Sequence, residues 1–239
     1  MELSYLIIIV LLFSVIQSIF GVGLLLFGTP TLLIIGYSYS ETLWILLPCS
    51  VVISLIQTID NFDLVQSKKK VVCFTIPTMV FSLAFVVSFD NILDINKIVG
   101  FFLLFIGILK FSNRIQKYLL YFAEKKLSLY YTFIGFVHGV SNMGGGPLSI
   151  LMSTIYRDKA KIRTNIAFIY LILALFQLIV LFILDASGLK YSTIALILTS
   201  LCVYLIVSKY IANKVNDEKY ISLINILIVV YGILSIVKQ

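Results

Sequence analysis

The chain has 239 residues, of which 61% are hydrophobic and only 12% charged, and it carries a formal net charge of +7. Its mean hydropathy is +1.09. This composition lies far outside that of soluble domains, so it excludes a secreted and a nucleic-acid-binding protein in spite of the positive charge. The sequence predicts an all-α polytopic membrane protein in the cell (cytoplasmic) membrane.

Apolar runs of roughly membrane-spanning length recur along the chain. A transmembrane helix needs about 20 predominantly apolar residues, and Tyr, Asn and Lys at the ends of the shorter runs suit the membrane interface. In chain order the runs are Ser4–Phe20, Thr42–Ile59, Val71–Phe89, Ile95–Leu109, Asn165–Leu184, Tyr191–Ser208 and Tyr220–Val237. Each run predicts a helix that crosses the bilayer.

Two segments, Ser4–Tyr37 and Leu127–Tyr156, are too long for one straight crossing. Each has about 30 residues, which would reach roughly 45 Å as a helix against a hydrocarbon core of about 30 Å. The polar, glycine-dense stretch Gly139–Pro147 interrupts the second segment. Non-helical backbone persists in a membrane only where protein buries it or where it lines a cavity, and transporters bind their substrates at such breaks. The break therefore predicts the functional site.

The distribution of basic residues predicts how these two segments cross. Four clusters, Lys68–Lys70, Lys110–Lys126, Arg157–Arg163 and Lys209–Lys219, hold 15 of the 18 basic residues. The connections Tyr37–Glu41, Asp90–Lys97 and Asp185–Lys190 are acidic or neutral. Basic loops favour the cytoplasmic side. If each of the two segments crossed once, about 10 basic residues would lie inside and 8 outside. If each segment returned to its starting side, 15 would lie inside and 3 outside. We expect out-and-back segments, either re-entrant hairpins or double crossings.

The same pattern predicts two repeats. Residues 1–109 form the first repeat, residues 110–126 an amphipathic cytoplasmic linker, and residues 127–239 the second repeat. At an offset of 117 residues, Gly28 aligns with Gly145, Pro30 with Pro147, Tyr39 with Tyr156 and Glu41 with Asp158. An out-and-back segment followed by three crossing helices has an odd net crossing, so two tandem copies are inverted with respect to each other, as in many transporters. A chance recurrence of Gly and Pro is the alternative.

Helix starts at the two breaks predict an anion site. Thr29 is a plausible N-cap, and Pro30 and Pro147 suit the first position of a helix. Free N–H groups and the positive dipole end of such helices bind anions without a buried Lys or Arg. The predicted substrate-binding residues are Gly21, Gly23, Gly28, Thr29, Pro30, His138, Ser141, Asn142, Gly144, Gly145, Gly146 and Pro147. The apolar runs hold no carboxylate for a buried sodium or proton site, and the sequence predicts no metal, no cofactor and no catalytic residue.

Several polar residues near the breaks have two interpretations. Gln17, Ser18, Gln57, Asn165 and Gln177 either line the same cavity or make ordinary helix–helix hydrogen bonds. His138 is the single histidine, and an unperturbed imidazole titrates near neutral pH. It either couples proton movement to anion movement or makes a structural hydrogen bond.

At these residues the chain resembles the TauE/SafE, or sulfite exporter, family of membrane permeases. The resemblance lies in the glycine-rich turn before Pro147, the weaker counterpart Phe27–Pro30, the basic loop Arg157–Arg163 and the two-fold layout over nearly the whole chain. It implies secondary transport of a small anion, with sulfite and organosulfonates as the family's substrates. The first turn here, Gly21–Gly28, holds fewer glycines than the family pattern, which bears on the size of the substrate.

The predicted function is therefore a permease that moves sulfite or an organosulfonate across the membrane, with lipid and the anion as its partners and with no nucleic acid. An anion channel that uses the same helix ends is the alternative. An intramembrane enzyme would need a nucleophile or a set of metal ligands. The sequence predicts neither, so we expect no enzymatic activity. Proton coupling and assembly into a homo-oligomer stay open at the level of the sequence.

Overall fold

The computed structural model of the protein describes residues 2–66, 68–89, 92–95, 97–102, 105, 121, 125–185, 188, 190–210 and 226. All regular elements among them are helical. We number the helices α1 (Glu2–Phe20), α2 (Leu24–Ile35), α3 (Tyr39–Ile59), α4 (Lys68–Ser88), α5 (Leu127–Ser141), α6 (Gly145–Ile155), α7 (Lys159–Leu184) and α8 (Tyr191–Tyr210). Helices α1, α3, α4 and α7 are long and apolar enough to cross a membrane. This confirms the all-helical prediction for the described part of the chain.

Some predicted elements lie wholly or largely outside the described residues. These are the linker 110–126 and the run Tyr220–Val237, and about half of the run Ile95–Leu109 also lies outside. The predicted repeats and the linker between them therefore stay predictions.

Local sequence signals fix where α3 and α7 begin. The Ser38 hydroxyl accepts a hydrogen bond from the backbone N–H of Glu41, whose carboxylate in turn accepts from the Ser38 backbone, which makes a capping box before α3. At α7 the Asp158 carboxylate accepts from the backbone N–H of Lys161. Both pairings satisfy amides that a helix start leaves free, so each helix begins directly after a short connection.

The first interrupted segment leaves one end of the helix bundle and returns to it. Leu3 and Leu6, near the start of α1, line the same cavity as Tyr37 and Glu41, which follow α2. The chain ends α2 at Gly36, whose φ of 105° suits glycine. The out-and-back geometry expected for this segment is therefore present.

The second interrupted segment does the same from the opposite end. Helices α4 and α5 pack side by side in parallel, since Gly135 contacts Thr75 and Gly139 contacts Ser82. Helix α5 thus begins at the end where α4 begins. After α6, the Tyr156 hydroxyl donates to Gln66 Oε1 at 2.8 Å, directly before α4.

Contacts between loops also gather basic segments at one end. Asn165 near the start of α7 donates to the Leu64 carbonyl at 2.9 Å and accepts from the Gln66 amide at 2.7 Å. Lys68–Lys70, Lys125–Lys126 and Arg157–Arg163 therefore share the end of the bundle where α4, α5 and α7 begin.

The opposite end carries the acidic and neutral connections. There the Trp44 indole donates to Asp185 Oδ2 at 2.9 Å, and Lys190 pairs with Glu41 at 3.4 Å. For the clusters that the structure describes, this division of charge is the one expected from the sequence. Most of Lys110–Lys126 and of Lys209–Lys219 lies outside the described residues, so the full 15-to-3 partition stays a prediction.

The structure corrects the predicted start of α2. The helix begins at Leu24 after Gly23, so Thr29 and Pro30 are its sixth and seventh residues and not its N-cap and first residue. The chain already turns at Gly21, whose φ is 76°, and this earlier turn sets the helix start. Proline inside a membrane helix is tolerated where neighbouring helices pack around it, and Pro30 is buried.

The predicted start of α6 is displaced by two residues. Gly144 is the N-cap and Gly145 the first helical residue, so Pro147 is third and not first. This position still lies in the first turn, where a helix has no internal partner for the N–H that proline lacks.

The cysteines differ in their environment. Cys49 is buried, whereas Cys73 and Cys202 are exposed. All three lie in apolar runs, and such a run predicts a membrane helix but not which of its faces meets lipid. Among the described residues, no group of three or more His, Cys, Asp or Glu side chains is placed to hold a metal ion.

Candidate functional site

The two breaks lie against each other in the interior of the protein. A Cβ atom on Gly145 would lie 3.3 Å from Cγ1 of Val22, and the Asn142 side-chain amide donates to the Thr29 hydroxyl at 2.9 Å. Gly145 also packs against Tyr170, near the middle of the 26-residue α7. The first turns of α2 and α6 are thus neighbours near the centre of the bundle.

The breaks share their length and the conformation of their first residue, although their third residues, Gly23 (φ 169°, ψ −66°) and Gly144 (φ −56°, ψ −18°), differ. Each preceding helix ends before a residue in the left-handed region, Gly21 with φ 76° and Asn142 with φ 61°. Two residues later a glycine packs back on that helix: a Cβ on Gly23 would lie 2.5 Å from the Gln17 nitrogen, and one on Gly144 would lie 2.6 Å from the His138 Cβ. Asn is one of the few residues besides Gly that adopts this conformation readily.

This correspondence replaces the predicted alignment. Gly21 pairs with Asn142 and Gly23 with Gly144, an offset of 121 residues, and not 117. Gly28 is therefore not the counterpart of Gly145. It lies inside α2, where it packs against the side chain of Leu46.

The Gln17 side chain supplies the hydrogen bonds at the first break. Its Nε2 donates to the hydroxyls of Ser50 at 2.9 Å and Ser54 at 3.1 Å, and its Oε1 accepts from the Leu24 N–H at 3.2 Å. Gln57 Nε2 donates to the Gln17 carbonyl at 3.0 Å. The first free amide of α2 thus already has a side-chain acceptor within the protein.

A chain of four polar side chains crosses the second break. Asn142 Nδ2 donates to Thr29 Oγ1, Gln177 Nε2 donates to Asn142 Oδ1 at 3.3 Å, and His138 Nε2 lies 3.1 Å from Gln177 Oε1. All four residues are fully buried. Since Gln177 Oε1 can only accept, the hydrogen on the imidazole lies on Nε2.

Two buried polar atoms at the second break lack a hydrogen bond. His138 Nδ1 has no partner, and a Cβ on Gly144 would lie 3.0 Å from it. The Tyr170 hydroxyl lies against Gly145 without a hydrogen bond of good geometry. Buried polar atoms are nearly always paired, so each orphaned one calls for an explanation. Both atoms face the first residues of α6.

All twelve residues predicted to bind substrate are buried, and most lie at the breaks. Their numbers are Gly21, Gly23, Gly28, Thr29, Pro30, His138, Ser141, Asn142, Gly144, Gly145, Gly146 and Pro147. Ser141 accepts from the Met143 amide and donates to the Val137 carbonyl, so it fixes the turn.

The other polar candidates divide between the centre and the periphery. Gln17, Gln57 and Gln177 lie at the breaks and make hydrogen bonds between segments there, the second of the two interpretations. Ser18 donates only to the Ser14 carbonyl within its own helix. Asn165 holds the loop before α4 and does not reach the centre.

Sequence reasoning missed Ser50 and Tyr170. They occupy equivalent places, 120 residues apart, beside Gln17 and beside His138: the Tyr170 and His138 ring centroids are 5.5 Å apart. A hydroxyl in the middle of an apolar run is the signal that marks both. The sequence offers many such hydroxyls, however, and only the packing selects these two.

Comparison with known proteins gives one result. The family model described as "Sulfite exporter TauE/SafE" matches residues 6–236. No curated protein and no solved structure matches the chain. The family match covers nearly the whole chain, including both breaks and all eight helices apart from the first residues of α1.

Proposed function

Since the chain belongs to the TauE/SafE sulfite exporter family, whose members transport sulfite-type anions across membranes, we propose that it is a secondary transporter of sulfite or a small organosulfonate in the cytoplasmic membrane. The anion binds where the first turns of α2 and α6 meet. The family match and the apolar helices make it an integral multi-pass membrane protein. Its substrate, its binding site and the membrane in which it lies are what we propose.

The observation that carries the proposal is the meeting of two broken helices inside an apolar bundle. The start of α6 directs its positive dipole end and the Gly145 N–H toward a buried point. The Gly146 N–H already bonds to the Met143 carbonyl at 3.2 Å, and Pro147 has no N–H. Compact oxyanions suit such a point because several acceptor oxygens can use several N–H donors at once. Cations lack those acceptors and meet the positive dipole ends.

An inverted-repeat architecture is part of the proposal. One interrupted segment starts and ends beside Glu41, and the other starts and ends beside Gln66, at the opposite end of the bundle. Two such units of opposite orientation around a shared central site permit alternating access.

The closed state of the centre favours a transporter over a channel. Every predicted binding residue is buried, and Gly23, Gly144 and Gly145 are packed too tightly to accept a methyl group without movement. A channel needs a continuous path in its conducting state, whereas a transporter passes through occluded states.

Sidedness can be tested by single cysteines in a background without Cys49, Cys73 and Cys202. We expect K126C and K161C to react with an impermeant thiol reagent from the cytoplasmic side, and K190C from the other side. Opposite labelling of K126C and K161C would refute the inverted-repeat arrangement.

Substrate class can be tested by flux into liposomes that contain the purified protein. We expect saturable transport of sulfite or methanesulfonate, and no transport of sodium, potassium or divalent metal ions as substrates. Flux that rises linearly with anion concentration would support the channel instead. Saturable transport of a metal cation without response to any anion would overturn the proposal.

A further inference from the structure

The two breaks have the same length and begin with a left-handed residue, but their side chains differ. This difference bears on what accompanies the anion, and the inference rests on the proposed function. In the first break the Leu24 amide is bonded to Gln17, and Gln17 to Ser50. The equivalent residues in the second break are His138 and Tyr170, which carry the unpaired Nδ1 and hydroxyl. Gln57 Oε1 at the first break also lacks a partner. The second break differs because its two unpaired side-chain atoms lie against the start of α6.

The direction of the hydrogen bonds sets the chemistry of His138. Gln177 donates to Asn142 and must accept from His138, so the imidazole hydrogen is on Nε2. Nδ1 then presents a lone pair toward Gly144. It is an acceptor without a donor.

An anion oxygen placed against this lone pair would be repelled by it. A proton between the two atoms removes the repulsion, because one of them then donates to the other. We propose that the anion is bound together with one proton, shared between an anion oxygen and His138 Nδ1, and that the Tyr170 hydroxyl is a second ligand of the anion.

One proton accompanies each bound anion, and it can reach the site in two ways. Hydrogensulfite brings it on the anion, whereas a sulfonate or the sulfite dianion binds with a proton taken from the aqueous side. In both cases the proton leaves with the anion on the other side, and no bond to the protein persists.

Burial favours this arrangement. An unpaired charge in a buried site is costly, whereas an imidazolium paired with a sulfonate is neutral overall. The titratable group that faces His138 is Tyr170 on α7, and no charged side chain of the described residues acts on the imidazole. The described surroundings therefore supply no other counter-charge for a bound monoanion.

The test is calorimetry of methanesulfonate binding to the purified full-length protein at neutral pH, in buffers of different ionisation enthalpy. Methanesulfonate has no proton to contribute, so any uptake must come from solution. We expect uptake of about one proton per anion bound. H138Q can keep a hydrogen bond to Gln177 but lacks Nδ1, and we expect it to bind about tenfold more weakly or worse, with no proton uptake.

T164V is the matched control because it removes another buried, unpaired hydroxyl from α7, six residues before Tyr170. We expect its affinity and proton uptake to equal those of the wild type. Binding without proton uptake, or uptake retained in H138Q, would overturn this inference alone. If neither methanesulfonate nor sulfite binds to the wild type, the proposed function fails first and this inference fails with it.

Discussion

The first and second breaks have the same length and both begin with a left-handed residue, yet a glutamine bonds across the first whereas the second leaves two polar atoms unpaired at the start of its helix. Gln17 bonds to the start of α2 and to two serines of α3. His138 and Tyr170 stand in the equivalent places beside α6 without completing their hydrogen bonds. We infer from the comparison that the first break serves mainly as a scaffold and that the second supplies the side chains that hold the anion.

The largest expected effects come from filling the two breaks. In G23V the new Cβ meets the backbone of Gln17, which cannot move aside, so we expect little folded protein. In G145V it meets the Tyr170 hydroxyl, the end of a side chain, so we expect near-normal insertion and monodispersity but no transport. Expression, size-exclusion profile and sulfite flux measure the two effects.

Normal flux through G145V would mean that the glycines of α6 serve packing alone and that the anion binds elsewhere. Equal loss of folding in both variants would erase the proposed difference between the breaks.

A smaller effect is expected from Q17L. The leucine leaves the Ser50 and Ser54 hydroxyls and the Leu24 amide without their present partner. Unsatisfied buried groups cost about 1–3 kcal/mol each. We expect a clear fall in melting temperature in detergent, with unchanged affinity for methanesulfonate in the protein that remains folded. A large loss of affinity at unchanged stability would place a ligand at the first break.

The smallest effect is expected at Asn142. N142A should weaken anion binding by about 1 kcal/mol, the scale of one hydrogen bond, and should also strain the turn because φ is 61°. N142G keeps the turn and loses only the side chain, so it separates the two contributions. If N142G binds methanesulfonate as tightly as the wild type, the amide of Asn142 contributes to the turn and not to the site.

Much of the architecture follows from pattern. Apolar runs predicted the long helices, and the basic clusters predicted which loops share an end, because both depend on burial and charge, which composition records. The glycine-rich stretch before Pro147 likewise predicted the second break. The first break was predicted in the right segment but with a helix start at Pro30, six residues beyond Leu24.

The missed features depend on three-dimensional neighbours. Gly28 and Pro30 resemble Gly145 and Pro147 in spacing, but the residue that turns the chain is Gly21, and its counterpart is an asparagine. An alignment by residue type therefore paired the wrong positions of the two segments. Tyr170 and Ser50 could not be selected from the sequence because their importance comes from their neighbours in space. Tyr170 on α7 lies beside His138, and Ser50 on α3 bonds to Gln17.

The most direct test of the difference between the breaks compares Y170F with S50A. Each removes one buried hydroxyl at an equivalent position, beside α6 in the first variant and beside Gln17 in the second. We measure the Kd for methanesulfonate by calorimetry and the melting temperature of both. The account predicts that Y170F binds about tenfold more weakly at nearly unchanged stability, and that S50A keeps the wild-type Kd but loses about 0.5–1.5 kcal/mol of stability. An unchanged Kd in Y170F together with a weakened Kd in S50A would contradict it.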